Sequence, residues 1–252
     1  MVKINIKTPA EIEIMKEGGK KLALIKNSLK KSVREGVSAE KIEELASSLI
    51  EESGGKASFK MVKDYRWSAC VNTNEGVVHG IPHPRIIFKK GDVVSVDVGL
   101  FYKGFHTDTS FTVALSPNRQ TKKFMNAGKE ALANAVSAAK VGGRVYDISK
   151  SIEETLDKYG YNPIEALVGH GVGKNLHEDP QIPCFTKGSR DESPIIPLGA
   201  TLAIEVMYTQ GSPEVYIDAS DGWTILTKDG KIAALFEETV AVTADGPIVL
   251  TA

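Results

Sequence analysis

The chain has 252 residues, 42% of them hydrophobic and 25% charged, with 31 basic and 32 acidic side chains and a formal net charge of −1. This balance is ordinary for a globular protein and offers no electrostatic attraction for nucleic acid or a membrane surface. No apolar run approaches the roughly 18 residues of a membrane span, and the amino-terminal stretch lacks the apolar core of a signal peptide.

Two helices followed by two strands are predicted in the first half of the chain. The first helix covers residues 11–29, and the second lies within residues 34–55, where apolar residues recur every four positions and glycine ends the pattern. The pair Gly18-Gly19 is interpreted as helix punctuation. The strands are DVVSVDVGLF and GFHTDTSFTVAL.

The second half repeats this order of elements. A shift of 106 residues aligns residues 34–55 with 140–161, so that Gly54 meets Gly160. A preceding helix is predicted at 120–138, and ATLAIEVMYT and KIAALFEETVAVT supply the later strands. We therefore expect a duplicated unit, in which two helices precede an antiparallel sheet, fused into one pseudo-symmetric domain.

The two halves meet near residues 115–121. This junction gives pseudo-repeats at about 8–115 and 118–245 within a single domain that spans 1–252. A site between two such halves is a common place for a ligand.

Acidic residues in the first pair of strands face away from the apolar residues. Strand alternation separates Asp97 from Val96 and Val98, and it separates Asp108 from Phe111. If the turn lies near residues 102–104 and the hairpin is symmetric, Asp97 and Asp108 are expected directly opposite each other, with Cβ atoms about 5 Å apart. Two carboxylates at that distance destabilise a sheet unless a cation neutralises them.

The later strands show the same arrangement. Glu205 faces away from Ile204 and Val206, and strand parity favours Glu237 over the adjacent Glu238 for the polar face. Four carboxylates with an imidazole suit divalent ions such as Mn, Fe, Co or Zn. Their charge is enough for two ions, the arrangement that activates water for hydrolysis.

The stretch VGHGVGKNLHEDP supplies the imidazoles. It holds two of the five histidines, His170 and His177, among glycines that allow close approach of backbone and ligand. One of the two completes the metal set, and the other contacts substrate from outside it. His106 shares a face with Asp108 and is expected to lie behind the ligands rather than among them.

In chain order, the motifs VVHGIP, DVG, HTDTS, GHGVGKNLHEDP, IEVM and FEETVAVT resemble those of type I methionine aminopeptidases, over about residues 8–245. The resemblance implies an α+β pita-bread fold, a pseudo-twofold duplicated unit whose curved antiparallel sheet is covered by helices. It implies hydrolytic removal of the N-terminal methionine from nascent proteins when the second residue is small. It also implies two divalent metal ions and leaves room for a monovalent cation.

The resemblance also assigns roles to individual residues. It makes Glu205 both a metal ligand and the proton shuttle, and it makes Asp108 and Glu237 bridging ligands. The implied metal ligands are Asp97, Asp108, His170, Glu205 and Glu237. The implied catalytic residues are His79, His177 and Glu205. The implied substrate-binding residues are Tyr65, Cys70, His79, His177 and Trp223.

Three positions depart from the family pattern. Val206 stands where the family usually has proline, Thr107 where it often has glycine, and Asp179 where it usually has glutamate. None of these removes a ligand, so they bear on the positioning of Glu205 and not on the presence of the site. Residues near Phe59 and Val62 are also atypical of the family's methionine pocket.

Two other functions share this pattern in whole or in part. A peptidase specific for Xaa-Pro would have the same metal set, but such relatives usually carry an extra N-terminal domain, and few residues precede the first predicted helix here. A non-catalytic binding module commonly lacks some ligands, whereas all five are present. A peptide panel and a metal assay separate the three.

The remaining expectations concern location and partners. The two cysteines, Cys70 and Cys184, have no metal-type spacing, which favours free thiols and a cytoplasmic protein. We expect a monomer that acts on N-terminal methionine peptides and nascent chains. The ribosome is a candidate partner, and neither nucleic acid nor a membrane is expected.

Overall fold

The computed structural model describes residues 3–252, and within them the chain forms four α-helices. The helices are α1 (Pro9–Ser32), α2 (Ala39–Glu52), α3 (Arg119–Ala138) and α4 (Val145–Tyr159). The first begins at a capping box, because the Thr8 hydroxyl accepts the backbone N–H of Glu11 while the Glu11 carboxylate accepts that of Thr8. The last ends at Gly160, which adopts a left-handed φ of 78°.

The strands fall between and after the helices, as the sequence predicts. In the first half they are β1 (Lys56–Ala57), β2 (Ala69–Thr73), β3 (Gly76–Val78), β4 (Val93–Tyr102) and β5 (Phe105–Ala114). In the second half they are β6 (Asn162–Pro163), β7 (Val168–Gly171), β8 (Glu178–Pro183), β9 (Thr201–Thr209), β10 (Val215–Ile217), β11 (Ile225–Thr227), β12 (Ala233–Thr243) and β13 (Gly246–Val249).

Both halves of the chain contribute to one large antiparallel sheet. Its strand order is β1-β4-β5-β12-β9-β7-β8, with β2 paired to β4, β13 to β12 and β6 to β9. The halves join at the centre, where β5 pairs with β12. A separate small sheet of order β10-β11-β3 also combines strands from both halves. The duplicated α+β architecture predicted from the sequence is therefore confirmed.

The four helices pack against one face of the large sheet. Leu22 of α1 and Ile42 of α2 lie in a buried cluster with Val96 of β4. Helices α3 and α4 form a second cluster with Ile204 of β9 and Val240 of β12. The acidic positions alternate with these apolar residues along each strand, so they project from the opposite face.

The offset of 106 residues that relates the halves in sequence also separates the first residues of α2 and α4. Each helix is preceded by a glycine in the left-handed region, with φ of 83° at Gly36 and 77° at Gly142. Each is also followed by one, with φ of 76° at Gly54 and 78° at Gly160. These φ values suit glycine because an L side chain is strained there.

Two expectations about local structure are wrong. Gly18-Gly19 does not punctuate a helix, since α1 runs through both residues and packs them against Tyr102 and Leu250. A Cβ at Gly19 would overlap the backbone carbonyl of Leu250, so this glycine permits a close approach of the helix to the chain end.

The second concerns the β4–β5 hairpin. Asp97 pairs with Ser110, and Asp108 pairs with Gly99, so the two aspartates are diagonal neighbours rather than direct partners. The reason lies in the turn, where Lys103 and Gly104 form a two-residue loop, both with positive φ. Moving the turn centre by one residue changes each partner by two positions and leaves every side chain on its predicted face.

No helix within residues 3–252 combines the length and the apolarity required to cross a bilayer.

Candidate metal centre and active site

A row of cross-strand partners contains three of the predicted metal ligands. Each residue in this row is the direct partner of the next, from β2 across β4, β5 and β12 to β9. The row consists of Cys70, Asp97, Ser110, Glu237 and Glu205. Cross-strand partners on one face have Cβ atoms about 4.5–5.5 Å apart, so the three carboxylates crowd a narrow strip of the sheet.

The neighbouring row contains the other two predicted ligands. Asp108 on β5 lies opposite Gly99, and its backbone N–H donates to the hydroxyl of Thr239 on β12 at 2.8 Å. Thr239 is the partner of Ala203 on β9, and Ala203 is the partner of His170 on β7. The antiparallel ladder thus brings an aspartate from the first half of the chain to a histidine from the second.

The side chains of the two rows converge above the sheet. Ligand atoms of Asp108, His170 and Glu237 all lie within 4.8 Å of one another. The His170 Nε2 atom is 3.6 Å from Glu205 Oε1, and its Nδ1 atom is 2.8 Å from the carbonyl oxygen of Gly171. If Nδ1 carries the proton, it donates to this carbonyl and leaves the Nε2 lone pair directed at the carboxylates, the tautomer that a metal-binding histidine adopts.

Strand parity separates the two adjacent glutamates as predicted. Glu237 lines the cavity above the sheet, whereas Glu238 lies on the helix-covered side. There the carboxylate of Glu238 accepts a hydrogen bond from the ammonium group of Lys26 on α1 at 2.5 Å. Glu238 is therefore neutralised by the protein itself and is not free to join the cavity cluster.

Burial makes the acidic cluster difficult to ionise. It raises the pKa of Asp97, Glu205 and Glu237 well above the usual carboxyl values, and the neighbouring Asp108 charge raises each further. Burial also raises the pKa of Asp108 to about 7. Without a counter-charge, these side chains would therefore retain protons that unfolded carboxyl groups lose.

The residues present fit a divalent metal ion. Among residues 3–252, no lysine or arginine lines this cavity, so no side-chain cation offsets the four carboxylates. The Oδ1 atom of Asp97 is buried without a hydrogen-bond partner in the described part of the chain, although buried polar atoms normally have one. A set of carboxylate oxygens with one imidazole nitrogen suits Mn, Fe, Co or Zn.

Two further histidines border the cluster. His177 packs its ring against that of His170, with centroids 4.5 Å apart at 75°. His79 follows β3 with a left-handed φ of 58°, a conformation that non-glycine residues seldom adopt and that concentrates at functional sites. Both side chains are exposed at the edge of the cavity, and the partial loss of their hydration lowers the pKa of each, which favours a neutral imidazole with one N–H to donate.

An apolar wall stands beside the cluster. The cavity has a volume of about 580 Å³ and contains all ten predicted site residues in its lining. Tyr65 forms the centre of the wall, with its hydroxyl 3.1 Å from the Cys70 sulfur and its ring 5.1 Å from that of Trp223 in an edge-on contact. Phe59 packs edge-on against Tyr65 and completes the aromatic side.

His106 lies behind the site, as the sequence predicts. It does not line the cavity in the described structure, and its Nδ1 atom is 2.9 Å from the hydroxyl of Ser58. Burial lowers the pKa of His106 to about 4, which keeps it neutral at physiological pH. Its backbone N–H donates to the carbonyl of Gly173 and links β5 to the loop that carries His177.

Several lining residues escape the sequence-based prediction. They come from the segment before β7, from the β7–β8 region and from β9. They are Ala166, Leu167, Leu176, Glu178, Gln181 and Met207. Leu176, Glu178 and Met207 stand inside the motifs GHGVGKNLHEDP and IEVM, but the motifs assign them no role. Two signals could have identified some of the six: the alternation along β9 places Met207 on the same face as Glu205, and Leu176 and Glu178 directly flank His177.

Two of the departures from the family pattern lie away from the cavity. Val206 is fully buried on the helix-covered face of β9, and Thr107 is buried on the same face of β5 opposite Leu100. Neither residue lines the cavity. Their effect on the ligands must therefore pass through the strand backbone.

Comparison with known proteins agrees with this geometry. Residues 13–244 match the model for metallopeptidase family M24. The chain is 39% identical over 246 residues to methionine aminopeptidase 1 of Bacillus subtilis, covering 97% of this chain and 98% of that protein. It is also similar to the crystal structure of a methionine aminopeptidase from Thermotoga maritima, with a TM-score of 0.95, 40% identity and 99% coverage of both chains.

A more distant similarity bears on the fold alone. The prolidase from Pyrococcus furiosus superposes with a TM-score of 0.75 at 22% identity, over 98% of this chain but 65% of that one. The match to the family model covers most of the chain, and the pita-bread fold expected from the motifs is confirmed. This chain therefore belongs to metallopeptidase family M24, and within that family it is a relative of the methionine aminopeptidases.

Proposed function

We propose that this protein is a methionine aminopeptidase that removes the N-terminal methionine from peptides and nascent proteins whose second residue is small. The observation that carries the proposal is a single cavity in which five potential metal ligands stand beside a largely apolar wall that includes Phe59, Tyr65 and Trp223. Similarity to methionine aminopeptidases over nearly the whole chain supports the same activity.

Two divalent ions would be held by the residues of the two rows. Asp108 and Glu237 would hold metal at the centre of the cluster, where they are diagonal neighbours on β5 and β12 and their ligand atoms lie within 4.8 Å of each other. Asp97 would complete the set on one side, and His170 and Glu205 on the other. Metal ions bound there would lower the pKa of water and polarise the scissile carbonyl group.

The residues of this chain would move the protons. Glu205 accepts a proton from the attacking water, as a general base. It then acts as a general acid and delivers this proton to the nitrogen of the second residue, which is the leaving group. The side chain of Glu205 is 13% exposed, so the carboxylate is largely shielded from bulk water while it holds the proton between the two steps. Its Oε1 atom lies 3.6 Å from the Nε2 atom of His170, so Glu205 is close enough to the other ligands to serve both as a metal ligand and as the proton shuttle.

The two outer histidines would stabilise the developing negative charge. His177 and His79 are neutral donors at the edge of the cluster, and each can place one N–H on a peptide oxygen. Donors that are already in place at the edge of the cavity stabilise a forming oxyanion without moving at the moment of reaction.

The apolar wall would receive the methionine side chain. An unbranched thioether adapts to an aromatic surface and makes favourable contacts with ring edges, which Tyr65 and Trp223 present. Cys70 adds a polarisable sulfur at the base of this wall, next to Asp97 in the row of carboxylates. The side chain of the first residue and the scissile bond would then be held in adjoining parts of one cavity.

We further infer that residues 1–252 act as one catalytic domain in a reducing cytoplasm. One sheet shared by both halves supports the first inference, and two buried free cysteines support the second. The monomeric state and a contact with the ribosome stay predictions.

The proposal is tested by removing and restoring metal. Protein treated with chelator and dialysed should release no methionine from a Met-Ala-Ser peptide, and activity should return with Mn, Co or Fe. Loss of activity that no divalent ion restores, in protein that remains folded, would contradict the assignment of the cavity as a metal centre.

A further inference from the structure

Lys7 lies outside the cavity and outside every motif that predicts the site. It precedes α1, and only 5% of its surface is exposed. Its backbone N–H donates to the carbonyl of Gly199 at 2.8 Å, just before β9. This bond fixes the lysine to the segment that leads into β9, the strand that carries Glu205.

The ammonium group of Lys7 is directed at the loop that carries His177. It donates to Glu178 Oε2 at 2.6 Å, and the two side chains are 4% and 2% exposed. Lys174 belongs to the loop itself, but it is 70% exposed and pairs with Glu11 instead. Lys7 is therefore the cation that compensates the buried charge of Glu178.

The carboxylate of Glu178 also orders the backbone on the other side of His177. Its Oε1 atom accepts the backbone N–H of Asn175 at 3.1 Å. His177 thus lies between two residues, Asn175 and Glu178, that are tied to one carboxylate. The rest of the stretch from Val172 to His177 has no regular secondary structure, so few other bonds hold the imidazole in place.

The loop packs against the lysine as well as bonding through it. A Cβ at Gly173 would overlap the Cε atom of Lys7, so the loop backbone lies directly on the lysine side chain. The carbonyl of Gly173 also accepts the backbone N–H of His106 at 2.7 Å. Lys7 thereby fills the space between the loop and the amino-terminal segment.

We propose that Lys7 is a positioning residue for His177: its ammonium group holds the Glu178 carboxylate, which fixes both ends of the backbone stretch that carries the imidazole. The role of the imidazole in the reaction rests on the proposed function, whereas the ordering of the loop does not. Misplacing a catalytic group by about 1 Å costs as much as 10²-fold in rate, so a loosened loop should lower kcat.

The test compares four variants. Lys7→Met keeps the length of the side chain and removes its charge, and Lys7→Arg restores the charge. Lys7→Met combined with Glu178→Gln removes both buried charges, so it leaves no uncompensated carboxylate to unfold the protein. Lys41→Met is the matched control, because Lys41 pairs with Glu44 on the exposed surface of α2.

Amide hydrogen exchange of the metal-free proteins is the first readout. Exchange in residues 172–178 of Lys7→Met should accelerate by about 10-fold or more, as expected when a local opening becomes easier, with little change elsewhere. Lys7→Arg and Lys41→Met should exchange like the original protein. Unchanged exchange of this stretch in Lys7→Met would overturn the proposal.

Kinetics on a Met-Ala peptide, at measured metal content, are the second readout. Both Lys7→Met and the double variant should lose about 10-fold or more in kcat with little change in KM, since the defect lies in placing a transition-state donor. Full kcat in the stably folded double variant would show that Lys7 only compensates a charge. If the original protein cleaves no methionine peptide, the proposed function fails, and the exchange result still decides the role of Lys7.

Discussion

Glu205 on β9 and Glu237 on β12 are direct cross-strand partners, on the face of the sheet that the helices do not cover. Like charges in direct opposition destabilise a sheet, and here a third carboxylate, Asp97, continues the same row. A fold that places these groups together loses stability unless a cation or a proton neutralises them.

The metal-free protein should become less stable as the pH rises. The carboxyl groups of the cluster have folded-state pKa values above the unfolded values of about 4, with Asp108 at about 7, so the folded state binds more protons between these limits. The free energy of unfolding therefore falls as the pH increases. We expect the Tm to drop by about 5 °C or more between pH 7 and 9, a range in which the histidines with lowered pKa values are largely neutral in both the folded and the unfolded state, measured by calorimetry in chelator.

The same scan with saturating Mn is the control. Bound metal stabilises the ionised cluster, so the fall with rising pH should be reduced or reversed. A metal-free Tm that stays constant or rises across this range would contradict the electrostatic account.

Glu205→Gln should abolish proton transfer while preserving the shape of the side chain. The expected loss in kcat is about 10²-fold or more, the usual contribution of general acid–base catalysis. The Tm of the metal-free variant should rise, because one carboxylate leaves the crowded row. Near-normal kcat at full metal occupancy would remove Glu205 from the role of proton shuttle.

The two histidines of the glycine-rich motif should fail in different ways. His177→Ala should retain metal and lose roughly 10²–10³-fold in kcat, comparable to the loss of one oxyanion donor. His170→Ala should weaken metal binding, because His170 Nε2 lies among the carboxylate oxygens. Elemental analysis after gel filtration separates the two outcomes, and equal loss of metal in both variants would refute this division of roles.

Lys26 should support the ligands from the helix-covered side. Its ammonium group donates to Glu238 and, at 3.2 Å, to the hydroxyl of Thr109, which in turn donates to the backbone carbonyl of Glu237. Lys26→Met should lower the free energy of unfolding by about 3–5 kcal/mol, the usual cost of leaving a buried charge unpaired. It should also weaken metal affinity, measured by competition with a chromophoric chelator.

Lys26→Arg is the control for charge. It should recover most of the stability and metal affinity, because the guanidinium group can reach the same carboxylate. Normal stability in Lys26→Met would show that the Glu238 carboxylate is adequately solvated without its partner.

Much of the site was predictable because strand alternation is local. The alternation along β4, β5, β9 and β12 places four acidic residues on one face of the sheet: Asp97, Asp108, Glu205 and Glu237. A shift of two residues in the pairing of these strands would leave them on that face. The partner of each residue depends on the turn, and Lys103 in a left-handed conformation gave no sequence signal for a two-residue loop. The faces were therefore correct and the pairing of Asp97 with Asp108 was wrong.

Contacts between distant segments were not predictable from local patterns. Gly18 and Gly19 have the composition of a helix end, yet they lie inside α1 because Tyr102 and Leu250 pack closely against them. The ion pair of Lys7 and Glu178 joins residues 171 positions apart, and no periodicity encodes it.

The most direct test of the central claim is a competition among peptides in a single reaction. Metal-reconstituted protein is mixed with equimolar Met-Ala-Ser, Met-Lys-Ser, Ala-Pro-Ser and Leu-Pro-Ser peptides, and the products are followed by mass spectrometry with and without chelator. The account predicts release of methionine from Met-Ala-Ser, with the other three peptides intact and no cleavage in chelator. Cleavage of Ala-Pro-Ser or Leu-Pro-Ser with Met-Ala-Ser left intact would contradict it and would indicate a proline-specific peptidase on the same fold.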